Sequence, residues 1–226
     1  MPDDPVFLIT GASSGIGAAT ARHAAQAGYR LVLAARSADK LEALADEVGG
    51  IAVATDVTRW EDNEALVARA LDEHGRLDVV FANAGFGGAR GWTKDSPEQW
   101  RDMVLTNVLG AAYTIRAAIP ALRASKGHAL LTSSVAGRRV LPGSFYSVTK
   151  HAVTAMAEAV RQDLDGSGVR VTSIEPGMVD TPFFDKRPQS GALEADDIAR
   201  AVMYAVSQPP HVDVNEILVR PTAQSG

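Results

Sequence analysis

Short apolar runs alternate along the chain with longer, alanine-rich segments whose length suits helices. The apolar runs are Val6–Ile9, Leu31–Ala35, Ile51–Ala54, Val79–Ala82, Ala129–Leu131, Val169–Ile174 and Ile217–Val219. Continuous apolar runs are typical of strands buried on both faces, and strand–helix alternation is typical of parallel sheets. The pattern predicts an α/β fold, in which a doubly wound parallel sheet has helices on both faces.

Composition narrows the class of protein. The chain has 226 residues, of which 46% are hydrophobic and 22% charged, and it contains no linker or repeat, so we expect one domain over 1–226. A net charge of −5 without a basic run argues against a nucleic-acid partner. The absence of cysteine excludes disulfides and thiol catalysis.

No run approaches the roughly 18 apolar residues of a membrane span, and the acidic start is unlike a signal peptide, so a soluble cytoplasmic protein is expected.

A glycine-rich turn follows the first predicted strand and precedes a helix that extends to about Ala27. Glycines at such a turn let the backbone approach a pyrophosphate, and the helix N-terminus supplies N–H donors. The spacing is Gly-x-x-x-Gly-x-Gly rather than the commoner Gly-x-Gly-x-x-Gly, and a merely tight connection is the alternative. The residues predicted to bind a dinucleotide here are Gly11, Ser13, Ser14, Gly15, Ile16 and Gly17.

The end of the second strand indicates which dinucleotide binds. An acidic residue about 20 positions after the glycine turn would bind the ribose 2′-hydroxyl of NAD. Ala35 and Arg36 occupy that place. A guanidinium suits a 2′-phosphate, and Ser13 and Ser37 can add hydroxyls. We predict NADP(H), the alternative being that Arg36 is simply solvated.

Two more strand ends carry candidate cofactor contacts. After the third strand, Asp56 can bond the adenine amine while Val57 packs on the ring; alternatively, Asp56 caps the helix that begins near Arg59. The fourth strand ends in Asn83, Ala84 and Gly85, where small residues leave room for ribose and nicotinamide. Asn83 is expected to tie neighbouring strands together through its amide.

The sixth strand ends at a Pro-Gly pair within the segment 175–182. Such a pair stops the strand and opens a crevice at its carboxyl end, where open α/β sheets bind ligands. Phe183 and Phe184 follow and can cover an apolar substrate. Only about a dozen residues separate Phe184 from the next helix, which predicts an open pocket.

A helix that begins near Tyr146, with Ser144 as its N-cap, carries Tyr146 and Lys150 four residues apart on one face. A free phenol titrates near pH ~10, and a neighbouring ammonium would lower that pKa toward the range useful for general acid–base catalysis. A serine hydroxyl at the preceding strand end, Ser133 or Ser134, can hold a substrate oxygen against the phenol. Taken alone, the Tyr–Lys pair could equally share a solvated helix face.

Together these segments resemble the short-chain dehydrogenase/reductase family in order and content. The matching positions are Thr10, Gly11, Gly15–Gly17, Asp56, Val57, Asn83–Gly85, Asn107, Ser134, Tyr146, Lys150, Pro176, Gly177 and Thr181. The resemblance implies a Rossmann-like sheet of seven strands, a nicotinamide cofactor and assembly as a homodimer or homotetramer. Pro176, Gly177, Val179 and Thr181 would contact the cofactor.

The resemblance also implies the catalytic roles. Tyr146 would be the acid/base, Lys150 its partner and a ribose ligand, Ser134 the donor to the substrate oxygen, and Asn107 the anchor of a proton-relay water. Asn107 lies within the helical region 97–125, where it can interrupt the hydrogen-bond ladder. The Ser134–Tyr146 spacing is one residue shorter than is usual in the family, so Ser133 remains a rival.

The predicted function is NADP(H)-dependent interconversion of an alcohol and a carbonyl: a ketone, an aldehyde or a hydroxy acid. The tail 209–221 is similar to that of bacterial NADP-dependent 3-hydroxy-acid dehydrogenases. One alternative is a reductase of carrier-protein-bound 3-oxoacyl groups, for which Arg138 and Arg139 are candidate docking residues. Another is an NADP-binding regulator without turnover. The five histidines are scattered and predict no metal site.

Overall fold

The computed structural model describes residues 4–183 and 191–224, so Phe184 lies outside the described residues. Within these described ranges nine strands are present: β1 Val6–Thr10, β2 Arg30–Ala35, β3 Ile51–Ala54, β4 Val79–Ala82, β5 His128–Thr132, β6 Arg170–Pro176, β7 Val179–Asp180, β8 Leu193–Glu194 and β9 Glu216–Val219. The α-helices are α1 Gly15–Gln26, α2 Ala38–Val48, α3 Trp60–His74, α4 Pro97–Val104, α5 Ala111–Ser125, α6 Phe145–Asp163 and α7 Ala195–Val206. A π-helical turn joins α4 to α5, and a short 3₁₀ turn precedes α6.

Seven strands form one parallel sheet in the order β3-β2-β1-β4-β5-β6-β9. The strand order reverses beside β1, because β2 lies on one side of it and β4 on the other. Each of the seven apolar runs forms one of these strands, so the predicted sheet is confirmed. The short pair β7–β8 forms a separate sheet that the hydrophobic pattern did not predict.

Each face of the sheet packs against its own set of helices. In β1, Val6 and Leu8 belong to a core with residues of α3, α5 and α6, while Phe7 and Ile9 belong to a core with α1, α2 and α7. Successive side chains of a strand point to opposite faces, so a continuous apolar run supplies both cores. The predicted helices on both faces are confirmed. No helix among the described residues is long and apolar enough to cross a membrane.

Candidate active site

A cleft of about 1030 Å³ opens at the carboxyl ends of the parallel strands, where the strand order reverses. This is the position at which open α/β sheets bind ligands. Of the site residues predicted from the sequence, all but Gly17 and Asn107 line the cleft. Those two lie immediately behind its wall. The fold therefore brings together segments that are spread over most of the chain.

At one end of the cleft, the glycines of the glycine-rich turn have no room for a β-carbon. Gly15 has a φ of 53°, and a Cβ there would lie 3.2 Å from the side chain of Thr181. A Cβ on Gly17 would overlap the carbonyl oxygen of Gly11. The helix α1 begins here after Ser14, whose side chain makes no capping hydrogen bond. The turn thus brings the N-terminus of α1 to the cleft and has glycines where a β-carbon would meet other protein atoms, which fits a bound pyrophosphate.

Arg36, Asp56 and Val57 lie at the same end of the cleft, after β2 and β3. Arg36 is exposed, as its predicted role requires. The carboxylate of Asp56 accepts hydrogen bonds from the backbone N–H and hydroxyl of Thr58, at 3.0 and 2.8 Å. Burial acts to raise the pKa of Asp56, but these hydrogen bonds and the charges of Arg36 and Arg59 outweigh it, so the pKa is lowered.

The alternative that Asp56 caps the following helix is wrong. The helix α3 has Arg59 at its N-cap, and Asp56 closes a turn at Thr58 instead. A short polar side chain commonly bonds the backbone two residues further on, which competes with helix capping.

Asn83 ties three strands together, as predicted. Its amide nitrogen donates to the carbonyl of Thr10 at 3.1 Å, and its amide oxygen accepts from the hydroxyl of Thr132 at 3.0 Å. Its backbone N–H donates to the hydroxyl of Thr10 at 3.0 Å. The ends of β1, β4 and β5 are therefore fixed relative to one another directly beside the cleft.

Asn107 lies in the π-helical turn Leu105–Gly110, so the predicted interruption of the helical ladder is confirmed. Its side chain is buried and exchanges two hydrogen bonds of 2.9 Å with the backbone of Phe86. It also donates to the hydroxyl of Thr149 at 3.1 Å. The amide thereby fixes the loop that leaves β4 against α6, the helix that carries Tyr146.

The two adjacent serines point in different directions. The Ser133 hydroxyl donates to the carbonyl of Lys150 at 3.0 Å and contacts the hydroxyl of Thr154 at 2.6 Å. The Ser134 hydroxyl donates to the carbonyl of Pro176 at 3.2 Å, and a hydrogen bond between Ser134 and Tyr146 acts to lower the pKa of the phenol. Ser134 is therefore the serine that faces Tyr146, whereas the hydroxyl of Ser133 is engaged by α6.

Tyr146 and Lys150 lie one turn apart on α6, after the Ser144 N-cap, whose hydroxyl accepts from the N–H of Ser147 at 3.2 Å. The predicted lowering of the phenol pKa by the ammonium is wrong for this arrangement. Removal of the hydroxyl from water raises the pKa of Tyr146 above its usual value, and only the hydrogen bond with Ser134 opposes this. The Nζ of Lys150 lies 5.5 Å from the phenol ring centroid.

Lys150 is buried, and its Nζ donates to the carbonyl of Thr132 at 2.7 Å. Burial lowers the pKa of this ammonium to about 8, because the charged form loses solvation. At neutral pH the side chain still carries its proton. A positive charge therefore lies at the floor of the cleft, beside the phenol.

Further residues also line the cleft. The ring of Phe183 packs edge-on against Tyr146 at 5.5 Å between centroids. The amide oxygen of Gln224 accepts from the N–H of Met178 at 3.0 Å, so the tail reaches the Pro-Gly turn. Arg90 and Lys94 line the wall that follows β4. Phe183 was predicted, but the others carry no sequence motif that would have indicated them.

Arg138, a candidate docking residue in the sequence, is engaged within the protein. Its guanidinium donates to the buried carboxylate of Glu175 at 2.7 Å and also pairs with Glu216. Arg138 is therefore held by two carboxylates of the protein itself, whereas the other candidate, Arg139, is exposed. Among the described residues there is also no cluster of histidine and acidic side chains that could hold a metal ion.

Residues 5–191 match the family model described as short chain dehydrogenase. An uncharacterized oxidoreductase of Staphylococcus saprophyticus is 39% identical over 240 residues, covering 98% of both chains. The chain belongs to the short-chain dehydrogenase/reductase family and is an oxidoreductase of that family.

Solved structures give the same result. An alcohol dehydrogenase from the archaeon Thermococcus sibiricus, complexed with 5-hydroxy-NADP, has a TM-score of 0.93 and 35% identity, with 99% of each chain covered. A serine dehydrogenase complexed with NADP+ has a TM-score of 0.93 and 31% identity, covering 98% of this chain and 96% of its own. Among the similar structures, some hold NADP and others NAD or NADH.

Proposed function

We propose that this protein is an NADP(H)-dependent oxidoreductase that interconverts an alcohol and a carbonyl group, with Tyr146 as the general acid/base. One observation carries the proposal. A single cleft has the glycine turn and Arg36 at one end, and at the other the Tyr146 phenol, which lies beside Ser134 and a buried ammonium. A cofactor and a small carbonyl compound can lie side by side in such a cleft.

The residues of the cleft fit a dinucleotide. The turn from Gly11 to Gly17 would hold the pyrophosphate, Arg36 with Ser13 and Ser37 the 2′-phosphate, and Asp56 with Val57 the adenine. Asn83, Ala84 and Gly85 leave space for the nicotinamide ribose, and Pro176, Gly177, Val179 and Thr181 would contact the nicotinamide end. When bound, the nicotinamide supplies or accepts the hydride.

The chain's own residues handle the proton. At neutral pH the raised pKa keeps the Tyr146 phenol protonated, so it can donate its proton to a carbonyl oxygen during reduction and recover it during oxidation. The Lys150 ammonium, which lies beside the phenol, would bind the nicotinamide ribose. The Ser134 hydroxyl can hold the substrate oxygen, and Asn107 would anchor the water that returns a proton to the site.

The test is a screen of ketones, aldehydes, hydroxy acids and acyl thioesters, in which the absorbance of NADPH is followed. Tyr146→Phe should abolish turnover while leaving the NADPH dissociation constant nearly unchanged, because the substitution removes the proton and little volume. If the variant keeps more than a few per cent of the wild-type kcat, the role of Tyr146 is wrong.

The same screen separates the alternatives. A regulator would bind NADPH without turning over any compound, and a carrier-protein reductase would use only carrier-bound acyl thioesters. The ion pairs of Arg138 give the carrier-protein alternative no support. Cytoplasmic location remains a prediction from the composition, and assembly as a homodimer or homotetramer remains a prediction from the resemblance. Gel filtration with light scattering tests the assembly.

A further inference from the structure

The ring of Phe183 stands next to the phenol of Tyr146 in the cleft. The two ring centroids are 5.5 Å apart, and the rings meet edge-on at an interplanar angle of 63°. Both residues line the cleft, and Phe183 is 38% exposed. A compound whose oxygen meets the Tyr146 hydroxyl therefore lies close to the Phe183 ring.

The tip of this ring contacts Gly87, in the loop that follows β4. A Cβ on Gly87 would lie 2.8 Å from Cζ and 2.9 Å from Cε1 of Phe183, which is closer than nonbonded carbon atoms approach. The three atoms nearest to such a Cβ all belong to the Phe183 ring. The ring thus occupies the space that a side chain at position 87 would need.

The backbone does not require a glycine at position 87. In the same loop, Gly91 has a φ of 122°, a conformation that side chains rarely adopt, whereas Gly87 is not among the glycines with a positive φ. A residue with a Cβ can therefore adopt the φ of Gly87. What the glycine provides is room for the Phe183 ring.

The backbone that carries the ring is also held in place. The N–H of Phe183 donates to the hydroxyl of Thr181 at 3.4 Å. The side chain of Thr181 lies against Gly15 of the glycine turn, where a Cβ would be 3.2 Å from it. The ring is thus fixed through its backbone and by its contacts with Gly87 and Tyr146. Extra carbon atoms pressed against such a wall are unfavourable, because the wall cannot yield freely.

We propose, on the basis of the function proposed above, that Phe183 limits the size of one substituent on the reacting carbon, and that Gly87 is a positioning residue that gives the ring its place. The substituent that faces Phe183 is then a hydrogen atom or a methyl group, and the larger substituent extends along the cleft away from the ring. The preferred compounds are accordingly aldehydes and methyl ketones, or the matching primary alcohols and methyl carbinols.

The experiment uses ketones that share a phenyl group and differ in the other substituent. These are acetophenone, propiophenone and isobutyrophenone, which carry a methyl, an ethyl and an isopropyl group. The value of kcat/KM is measured with NADPH, and the readout is the ratio of the methyl ketone to the isopropyl ketone. One methylene in a fitted pocket changes kcat/KM by about 10- to 200-fold, so the wild-type ratio should be at least about 10. Phe183→Ala should lower the ratio about 10-fold or more, mainly by raising kcat/KM for isobutyrophenone.

Gly87→Ala tests how the ring is positioned. With Phe183 present, the added Cβ has no room, so the ring has to leave its place and the ratio should fall at least about 5-fold. In the Phe183→Ala background the same Cβ meets no ring, and Gly87→Ala should change the ratio by less than about twofold. A merely structural effect would lower kcat/KM for all three ketones by the same factor and leave the ratio unchanged.

Trp92→Ala is the matched control, because it removes another aromatic ring from the loop that follows β4. Trp92 is 59% exposed, packs against Trp100 at 4.9 Å between centroids and does not line the cleft. This variant should keep the wild-type ratio. The NADPH dissociation constant of Phe183→Ala should stay near the wild-type value, since the ring lies beside the phenol and not at the phosphate end.

The outcomes distinguish this inference from the proposed function. An unchanged ratio in Phe183→Ala, or an equal effect of Gly87→Ala in both backgrounds, would overturn the inference and leave the oxidoreductase intact. If the wild type turns over no compound at all, the proposed function fails. In that case, and whenever the three ketones are not substrates, calorimetry on the NADP-saturated protein decides the inference. The wild type should bind 1-phenylethanol more tightly than 2-methyl-1-phenylpropan-1-ol, and Phe183→Ala should lose this preference. Equal binding of both alcohols by the wild type, or a preference that Phe183→Ala retains, overturns it.

Discussion

The guanidinium of Arg138 donates to the carboxylate of Glu175 at 2.7 Å, and the carboxylate is almost completely buried while the guanidinium is one third exposed. The hydroxyl of Ser173 also donates to this carboxylate, at 2.9 Å. Arg138 follows the 3₁₀ turn that Ser134 caps, and Glu175 precedes Pro176, whose carbonyl accepts from Ser134. The ion pair therefore joins the two segments between which Ser134 is held.

Arg138→Met should lower the free energy of unfolding by about 2–4 kcal/mol, because it leaves the Glu175 charge buried with one remaining hydrogen bond. Urea denaturation followed by circular dichroism measures this. Arg69→Met, which breaks the exposed pair with Glu73, should cost about 0–1 kcal/mol. Adding Glu175→Leu to Arg138→Met should restore part of the lost free energy of unfolding. An Arg138→Met variant as stable as the wild type would contradict the predicted contribution of this ion pair.

Lys150→Met should weaken NADPH binding roughly 10-fold or more and also lower kcat, since a charge is lost both at the ribose and at the phenol. Fluorescence titration gives the dissociation constant and steady-state kinetics give kcat, with the exposed Lys126→Met as the control. An unchanged NADPH dissociation constant would rule out the contact with the ribose.

The pH dependence of NADPH binding provides a second test of Lys150. Burial lowers the pKa of this ammonium to about 8, so the positive charge is present below that pH and lost as the pH rises through it. Wild-type affinity for NADPH should therefore decline above about pH 8. The NADPH affinity of Lys150→Met should not decline in this way. If wild type and Lys150→Met have the same pH profile of NADPH affinity, another group is the one that titrates.

Cofactor choice should depend on Arg36. A charged hydrogen bond to the 2′-phosphate is worth roughly 1.5–3 kcal/mol, which favours NADPH over NADH by about 10- to 150-fold. Replacing Ala35 with Asp and Arg36 with Ser should reverse the preference, because the new carboxylate repels the phosphate and accepts from a free ribose hydroxyl. The measurement is kcat/KM for both cofactors at one ionic strength. Wild-type protein that prefers NADH would refute the assignment.

His128 should make the protein less stable in mild acid. Its ring is buried and bonded to the hydroxyl of Thr172 at 2.7 Å, and burial, with the charge of Arg170, lowers its pKa from 6.5 to about 3. Between these values only the unfolded chain binds a proton at this ring, so stability falls as the pH falls, by about 2 kcal/mol from pH 6.5 to 5.

The comparison that isolates this effect is the free energy of unfolding of wild type and His128→Gln at pH 7 and pH 5. The variant should lose less stability on acidification, whereas the exposed His211→Gln should behave like wild type. Equal losses in wild type and His128→Gln would show that His128 does not contribute.

The fold could be predicted from the sequence because its signal is local. Seven apolar runs, each between helix-length segments, give the parallel sheet, and alternate residues such as Phe7 and Leu8 supply opposite cores. The pair β7–β8 could not be predicted in this way. Its two-residue strands, at Val179 and Leu193, are too short to show a pattern and meet only after the chain has folded.

Part of the candidate site could likewise be predicted from the sequence, and part could not. Glycines at a turn and a Tyr–Lys pair on one helix face are read directly from spacing, and they line one cleft. The pKa of Tyr146 could not be read from spacing, since it depends on how much water the folded protein removes from the hydroxyl. Gln224 and Arg90 were also missed, because their positions depend on contacts between residues far apart in sequence. The side chain of Gln224 bonds the backbone of Met178, and the backbone of Gly91, next to Arg90, bonds that of Gly143.

The central place of β1 has a consequence for how the protein folds. Phe7 pairs with Leu31 on one side and with Val79 on the other, roughly seventy residues further along. The pairing of Phe7 with Val79 closes a long loop, and the chain loses conformational entropy before any contact offsets that loss. This pairing is therefore expected to form slowly. Until it forms, the glycine turn and Asn83 are not held together. During synthesis, the ligand-binding edge of the sheet can therefore be assembled only after β4 has emerged and inserted beside the first strand.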